Sequence, residues 1–184
     1  GFTQPIVSEL SAYVQQGYSE AVIIGGTEAV PASVERSLRA MNYSVVRIWD
    51  WNRYGTAARV AITLWGESET VVIAEGDREG AIMPAARIAI DYGSPVLLTE
   101  RGKLSESAEQ AIEKLGARRI VIVGDVSEEA RKKLDSLGGV EQTKLTQLPL
   151  VETGGRSSFV VGLIAGGLII FLITSLWGAE VIRR

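Results

Sequence analysis

The sequence contains no cysteine and no histidine among its 184 residues. Without these side chains the protein cannot form a disulfide, a thiolate nucleophile, a Cys/His zinc site, a His-ligated haem or a histidine general base. We therefore expect no catalytic residue, no metal ion and no cofactor, and we interpret the protein as a non-enzyme.

The sequence also lacks an excess of basic residues. Its 19 Lys and Arg stand against 22 Asp and Glu, which gives a formal net charge of -3. A surface that follows nucleic-acid phosphates normally has a basic excess, so we exclude nucleic acid as a partner. The remaining composition, 46% hydrophobic and 22% charged, is typical of a folded globular domain.

Near the C-terminus, residues 159–179 (FVVGLIAGGLIIFLITSLWGA) contain no charged side chain. At about 1.5 Å per residue they would form a helix of roughly 31 Å, enough to cross a hydrocarbon core of about 30 Å. We predict a transmembrane helix over 158–180. Ser158, Gly162 and Gly166 lie on one side of it, in the small-xxx-small pattern typical of helix–helix contacts.

Positive residues flank this predicted helix unequally. Arg156 precedes it, and Arg183 and Arg184 follow it. Because positive residues tend to remain cytoplasmic, we expect a single-pass protein of the cell membrane with its domain outside and its C-terminus inside. The start at Gly1 fits removal of a signal peptide. A tail-anchored cytoplasmic domain is the alternative topology.

Upstream of residue 145, strand and helix patterns alternate. Short apolar runs rich in β-branched residues predict strands at 21–24, 44–48, 71–74, 95–99 and 120–123. Helical patterns occupy 5–16, 31–41, 53–64, 81–92, 105–115 and 127–137. This alternation predicts an α/β fold, a layered parallel sheet with helices on both faces.

Part of this pattern occurs twice. Gly17 corresponds to Gly116, and residues 22–25 (VIIG) correspond to residues 121–124 (VIVG), both with an offset of 99. The period is far above the roughly 20 to 50 residues of solenoid repeats. We therefore interpret this internal repeat as two α/β halves that share one sheet.

Residues 47–61 (RIWDWNRYGTAARVA) resemble the start of the cell-wall-binding repeat of type 2, approximately R-I-x-G-x-x-R-Y-x-T-A-x-x-I-A. Arg53, Tyr54, Thr56 and Ala57 match this pattern directly. The segments VVIAEG, PAARIAIDYGSPVLLT and RRIVIVGD then follow in the family's order. The resemblance implies a non-catalytic module of the cell surface that holds anionic wall polymers.

The resemblance also divides the sequence. We expect a half repeat over 1–46 and a full repeat over 47–146 in the same ectodomain. A linker over 147–157, which contains Gly154 and Gly155, would then lead to the membrane helix over 158–180 and to a cytoplasmic tail over 181–184.

Trp49, Trp51, Arg53 and Tyr54 form the candidate ligand surface. Aromatic faces stack on the C–H faces of sugars, while guanidinium and amide groups bind hydroxyls. The alternative is structural: the aromatic side chains fill the boundary between sheet and helix, and Arg53 pairs with a nearby carboxylate.

Two other groups of loop residues were considered as sites. The strand-GGT segment at 25–27 resembles a phosphate cradle, but the sequence has neither G-x-G-x-x-G nor a P-loop lysine, so we assign no nucleotide site. Asp77 and Asp125 follow predicted strands at the expected carboxyl edge. Without a known separation, they are not assigned as an acid–base pair.

Three functions remain open. The first is a membrane-anchored, non-catalytic surface module that binds an envelope polymer, a glycan or a protein. The second is an accessory single-span subunit, whose C-terminal helix contacts an integral membrane partner or a second copy as well as lipid. The third is an enzyme on an α/β scaffold, which fold alone does not support.

Overall fold

The computed structural model describes residues 4–77, 79–100 and 102–143, together with two short strands further along the chain. Helices and strands alternate through the main part. They are α1 (Gln4–Gln15), β1 (Glu20–Ile24), α2 (Ala32–Ala40), β2 (Ser44–Ile48), α3 (Arg53–Trp65), β3 (Thr70–Glu75), α4 (Glu79–Tyr92), β4 (Val96–Thr99), α5 (Glu106–Leu115), β5 (Arg119–Val123), α6 (Glu128–Leu137) and β6 (Gly139–Thr143). The α/β class with parallel strands is confirmed.

Local sequence signals fix the ends of several helices. The side chains of Asn52, Ser105 and Ser127 each accept a hydrogen bond from a backbone N–H in the first turn of α3, α5 and α6 respectively. These N-caps satisfy donors that a helix start otherwise leaves unpaired. Gly116 ends α5 with a φ of 69°, a backbone conformation that glycine adopts without strain.

The chain forms two compact units with their boundary between Trp49 and Asp50. Unit 2, which begins at Asp50, contains a four-stranded parallel sheet in the order β4-β3-β5-β6. Helices α3, α5 and α6 cover one face of this sheet, where Leu97, Ile112 and Leu134 are fully buried. Helix α4 covers the other face. Unit 2 is therefore a layered sheet with helices on both faces.

Unit 1, which ends at Trp49, contains the two-stranded parallel sheet β1-β2. Its core lies on one face, where Leu10 of α1 and Leu38 of α2 pack with Ile23 and Val45. The buried Tyr43 joins this core and donates a hydrogen bond to the Leu10 carbonyl at 2.8 Å. Unit 1 thus has the helix–strand–helix–strand order of α5 to β6.

The internal repeat is present in the backbone as an α/β repeat fold. Strand β5 begins and ends 99 residues after β1. The loop before α6 is three residues shorter than the loop before α2, since β5 ends at Val123 and α6 starts at Glu128. Consequently Leu134 of α6 takes the position of Leu38 of α2, and both are buried.

One sequence prediction was wrong, and one strand was missed. The halves do not share one sheet in the described residues, because β1 pairs with β2 and unit 2 builds a separate sheet. Strand β6 was not predicted, because Glu141 and Gln142 interrupt its apolar pattern. Pairing along β5 stabilises β6 through backbone hydrogen bonds, which a side-chain pattern does not reveal.

Most of the predicted membrane helix 158–180, including Ser158 and Gly166, lies outside the described residues. The exceptions are β7 (Val160–Gly162) and β8 (Phe171–Ile173), which pair as antiparallel strands where the sequence predicted helix. Valine, phenylalanine and isoleucine favour extended backbone. In lipid, by contrast, the backbone finds no hydrogen-bond partner outside the protein, and a spanning segment pairs its N–H and C=O groups internally, as a helix does. Within the described residues, no helix has the length and apolar character needed to span a bilayer.

Candidate functional site

Three strands end in the same arrangement, which we call the strand-end clamp. A glycine follows the strand, its N–H donates to the carbonyl of the last residue of a neighbouring strand, and its own carbonyl accepts a hydrogen bond from a side chain. The N–H bonds are Gly25 to Ile48, Gly76 to Thr99 and Gly124 to Thr143, at 2.9, 2.9 and 3.1 Å. Each clamp fixes two strand ends at the carboxyl edge of a sheet, where α/β proteins commonly bind ligands.

The clamp of unit 1 is closed by Arg47 on β2. Its Nη1 donates to the carbonyls of Gly25 at 2.7 Å and Val30 at 3.1 Å. Its Nε donates to Glu35 at 3.1 Å. Hydrogen bonds from Arg39 and then Arg47 hold the pKa of Glu35 below its ordinary value. The guanidinium therefore ties β1, β2 and α2 together.

The equivalent clamp in unit 2 uses different chemistry. Gln142 occupies the position of Arg47, and its Nε2 donates to the Gly124 carbonyl at 3.0 Å. Its Oε1 accepts a hydrogen bond at 2.6 Å from Arg131, which occupies the position of Glu35. The positively charged residue thus lies on the helix in unit 2 and on the strand in unit 1.

The third clamp contains two residues of the candidate ligand surface. Arg53 Nη1 donates to the Gly76 carbonyl at 3.1 Å and lies 3.4 Å from the Asp77 carboxylate. The Tyr54 hydroxyl donates to the other Asp77 oxygen at 2.7 Å. This hydrogen bond raises the pKa of Tyr54. Only a glycine fits easily at position 76, because an added Cβ would lie 3.1 Å from the Tyr54 ring.

The loop that precedes Arg53 is held by Asp50. This carboxylate accepts hydrogen bonds from the Trp51 backbone N–H at 2.7 Å and from Arg59 at 2.6 Å. The bond from Arg59 is the main cause of the lowered pKa of Asp50. A Cβ at Gly55 would lie 2.8 Å from the Asp50 carboxyl carbon, so the loop packs directly on the first turn of α3.

The structure brings two of the four predicted ligand residues together. Arg53 and Tyr54 meet at Asp77, and Trp51 precedes them with 90% of its surface exposed. Trp49 belongs to unit 1, where its ring lies against Gly26. The structural alternative accounts for the contacts of Arg53, whose carboxylate partner is Asp77. A role in ligand binding stays a prediction.

The two other loop groups have structural contacts of their own. The Gly26 carbonyl accepts hydrogen bonds from the N–H groups of Ala29 at 3.2 Å and Val30 at 2.8 Å, so these amides are used within the loop. Asp125 follows β5, which is adjacent to β3, so Asp77 and Asp125 lie at the same sheet edge.

Sequence reasoning missed two of the three side chains that close the clamps, Arg47 and Gln142. The signal that could have indicated them is a glycine directly after each of the strands β1, β3 and β5.

No protein-family model matches the chain. An uncharacterised protein of Pyrococcus horikoshii is 38% identical over 133 residues, which are 71% of this chain and 40% of that protein. The chain thus corresponds to less than half the length of this relative.

Two proteins of Bacillus subtilis match shorter regions. N-acetylmuramoyl-L-alanine amidase LytC is 31% identical over 107 residues (56% of this chain, 21% of LytC), and the amidase enhancer is 29% identical over 94 residues (50% and 13%).

Among solved structures, Cwp8 from Clostridium difficile superposes with a TM-score of 0.60 and 26% sequence identity. The superposition covers 70% of this chain and 22% of Cwp8. Together with the motifs of residues 47–61, these likenesses support a cell-wall-binding repeat fold for this chain.

Proposed function

We propose that the protein is a non-catalytic surface module that binds an envelope polymer or glycan. The observation that carries this proposal is that LytC and the amidase enhancer each match part of this chain. The matched residues are 21% of the amidase and 13% of the enhancer, so most of each protein lies outside them. Small segments that match both an amidase and an amidase enhancer are better explained by attachment than by catalysis.

The geometry of the third clamp supports a binding surface there. Trp51 is largely exposed, and its aromatic ring is of the type that stacks on sugar C–H groups. The Arg53 side chain is 61% exposed, and both of its contacts described above use a single nitrogen, Nη1. A guanidinium has five N–H donors, so Arg53 can also bind an anionic group of a polymer. Asp77 holds Arg53 and Tyr54 in place beside the tryptophan.

The test is retention of the purified protein on isolated envelope material. Trp51→Ala should lower the affinity about fivefold, because an aromatic stacking contact contributes on the order of 1 kcal/mol. Tyr18→Ala is the matched control, because Tyr18 is an exposed aromatic residue of unit 1. Absence of retention for the unaltered protein would remove polymer binding as the function. An equal loss of affinity in the Trp51→Ala and Tyr18→Ala variants would show that the binding surface is not at Trp51.

We also propose that residues 158–180 anchor this module in the cell membrane, with the domain outside and residues 147–157 as linker. Support comes from the uncharged run and from the basic residues after it. The anchored protein should resist extraction by alkaline carbonate, and protease added to intact cells should cleave the domain. Release by carbonate contradicts the anchor. If residues 158–180 form a helix in lipid and that helix binds a partner, Gly162→Leu with Gly166→Leu should lower the particle mass in mild detergent.

A further inference from the structure

The turn between α2 and β2 contains an N-glycosylation tripeptide. Asn42, Tyr43 and Ser44 form the sequence Asn-x-Ser, in which the middle residue is not proline. The chain has one other asparagine, Asn52, and the Arg and Tyr that follow it do not complete such a tripeptide. Glycans are attached to this tripeptide in exported proteins, so the inference rests on the surface location proposed above and not on polymer binding.

The structure presents the two residues that define the tripeptide to solvent. Asn42 and Ser44 are exposed. Tyr43, between them, is 4% exposed and packs in the core of unit 1. In the described part of the chain, the side chains of Asn42 and Ser44 form no hydrogen bond. A glycan on the Asn42 amide therefore displaces no contact of the fold.

The backbone of this turn permits an asparagine without requiring one. At the end of α2, the N–H groups of Asn42 and Tyr43 donate to the carbonyls of residues 39 and 38 at 3.0 and 3.1 Å. Asn42 has a φ of 67°, in the left-handed region. The same pair of hydrogen bonds ends α1, α4 and α5, and there the left-handed residue is a glycine in each case: Gly17, Gly93 and Gly116. Asparagine tolerates this conformation, but the turn makes no use of its amide.

The turn is longer in unit 1 than in unit 2, and it lies away from the strand-end clamp of its own sheet. Residues 41–43 connect α2 to β2, whereas Gly138 alone connects α6 to β6. Ser44 begins β2, and its N–H donates to the Ser19 carbonyl at 2.7 Å, next to the start of β1. This is the amino edge of the sheet β1-β2. A glycan at Asn42 therefore leaves the carboxyl edge of that sheet open.

We propose that Asn42 is an N-glycosylation site. The donor is a lipid-linked oligosaccharide, and a membrane-bound transferase catalyses the step. Asn42 Nδ2 forms a bond to C1 of the first sugar, and the bond from C1 to the phosphate oxygen of the lipid carrier breaks. The carrier phosphate leaves with the electron pair, and the proton lost from the amide passes to a base of the transferase. The product carries its glycan on the exposed turn before β2.

The experiment uses the whole protein, purified from the cells that make it naturally and digested with trypsin. Cleavage after Arg39 and Arg47 releases residues 40–47. Mass spectrometry should find this peptide shifted by the mass of a glycan, with fragment ions that locate the glycan on Asn42. Recovery of the peptide in its unmodified form alone overturns the proposal. Protease added to the same intact cells tests the surface location separately: a cleaved domain with unmodified Asn42 refutes the glycan site alone, and a protected domain refutes the surface location as well.

Two variants of Ser44, produced in the same cells, form a matched pair. Ser44→Ala should abolish the mass shift, because the tripeptide needs a hydroxyl at its third position, and Ser44→Thr should keep it. Both variants should fold, since Ser44 is exposed. A glycan that persists in Ser44→Ala, or that is lost in Ser44→Thr, overturns the proposal.

Discussion

Two of the clamps are equivalent in the internal repeat, the one closed by Arg47 in unit 1 and the one closed by Gln142 in unit 2. Their contacts predict what happens when the residues of one clamp are placed in the other. Arg47→Gln places in unit 1 the strand residue that unit 2 has at Gln142. Glu35→Arg then supplies the helix residue that unit 2 has at Arg131. Arg39 pairs with Glu35, and its equivalent in unit 2 is Asp135, the partner of Arg131, so Arg39→Asp completes the exchange. If the two halves are equivalent, this triple variant should rebuild in unit 1 the hydrogen bonds seen in unit 2.

The structure gives the expected magnitude for the single change. Arg47 makes charge-assisted hydrogen bonds to the carbonyls of Gly25 and Val30, and each contributes about 1.5–3 kcal/mol. Glutamine can restore one neutral bond of about 1 kcal/mol. Arg47 Nη2 is buried and has no hydrogen-bond partner in the described residues, so its removal offsets part of the loss. Arg47→Gln should therefore destabilise unit 1 by about 2 kcal/mol.

Adding Glu35→Arg together with Arg39→Asp, which reproduces the Arg131–Asp135 pair of α6, should recover about 1 kcal/mol, because a guanidinium then donates to the new amide, as Arg131 donates to Gln142 at 2.6 Å. The assay is urea unfolding combined with amide hydrogen exchange at Gly25, whose N–H bond reports on the clamp. The control is Arg131→Glu with Asp135→Arg and Gln142→Arg, the reverse exchange in unit 2. A triple variant no more stable than Arg47→Gln alone would refute the equivalence of the two clamps.

Three further predictions concern unit 2. Gly138→Ala should lower the free energy of unfolding by about 1–3 kcal/mol in urea titrations, because the new Cβ would lie 2.8 Å from a backbone carbonyl oxygen that cannot move aside. Asp77→Asn should lower the pKa of Tyr54 in an ultraviolet titration, because the acceptor that raises this pKa loses its charge; an unchanged pKa would contradict the hydrogen bond. The lowered pKa of Asp50, caused mainly by Arg59, stabilises the fold above its ordinary pKa of 3.8, and this contribution is lost as pH falls through the lower folded value. Asp50→Asn should therefore flatten the pH dependence of unfolding below about pH 4, and an unchanged profile would contradict the assignment.

The elements of the fold were predictable where the side-chain pattern alone determines them. The apolar run at 44–48 coincides with β2, and the predicted helix over 53–64 coincides with α3 to within one residue. The pairing of strands was not predictable, because it depends on which strand edges meet in three dimensions. For that reason β6 was missed and the two sheets were expected to be one.

The candidate site was predictable only in part. The repeat motif placed Arg53 and Tyr54 together, and the predicted strand over 71–74 placed Asp77 at the sheet edge. That these three side chains meet depends on α3 starting beside the end of β3, a tertiary contact with no local signal. Trp49 was grouped with them by sequence proximity, although it belongs to unit 1, where its ring lies against Gly26.

The clamp of unit 1 has its guanidinium on a strand, and the equivalent clamp of unit 2 has it on a helix. This difference affects how the two halves fold. A chain with two similar halves risks pairing a strand of one half with the sheet of the other. If β2 took the place of β6 beside β5, Arg47 would stand where Gln142 stands, next to Arg131. Two guanidinium groups would then share a site that accommodates one, and their repulsion disfavours the exchange. The reversal thus disfavours pairing of β2 with β5 while the protein folds.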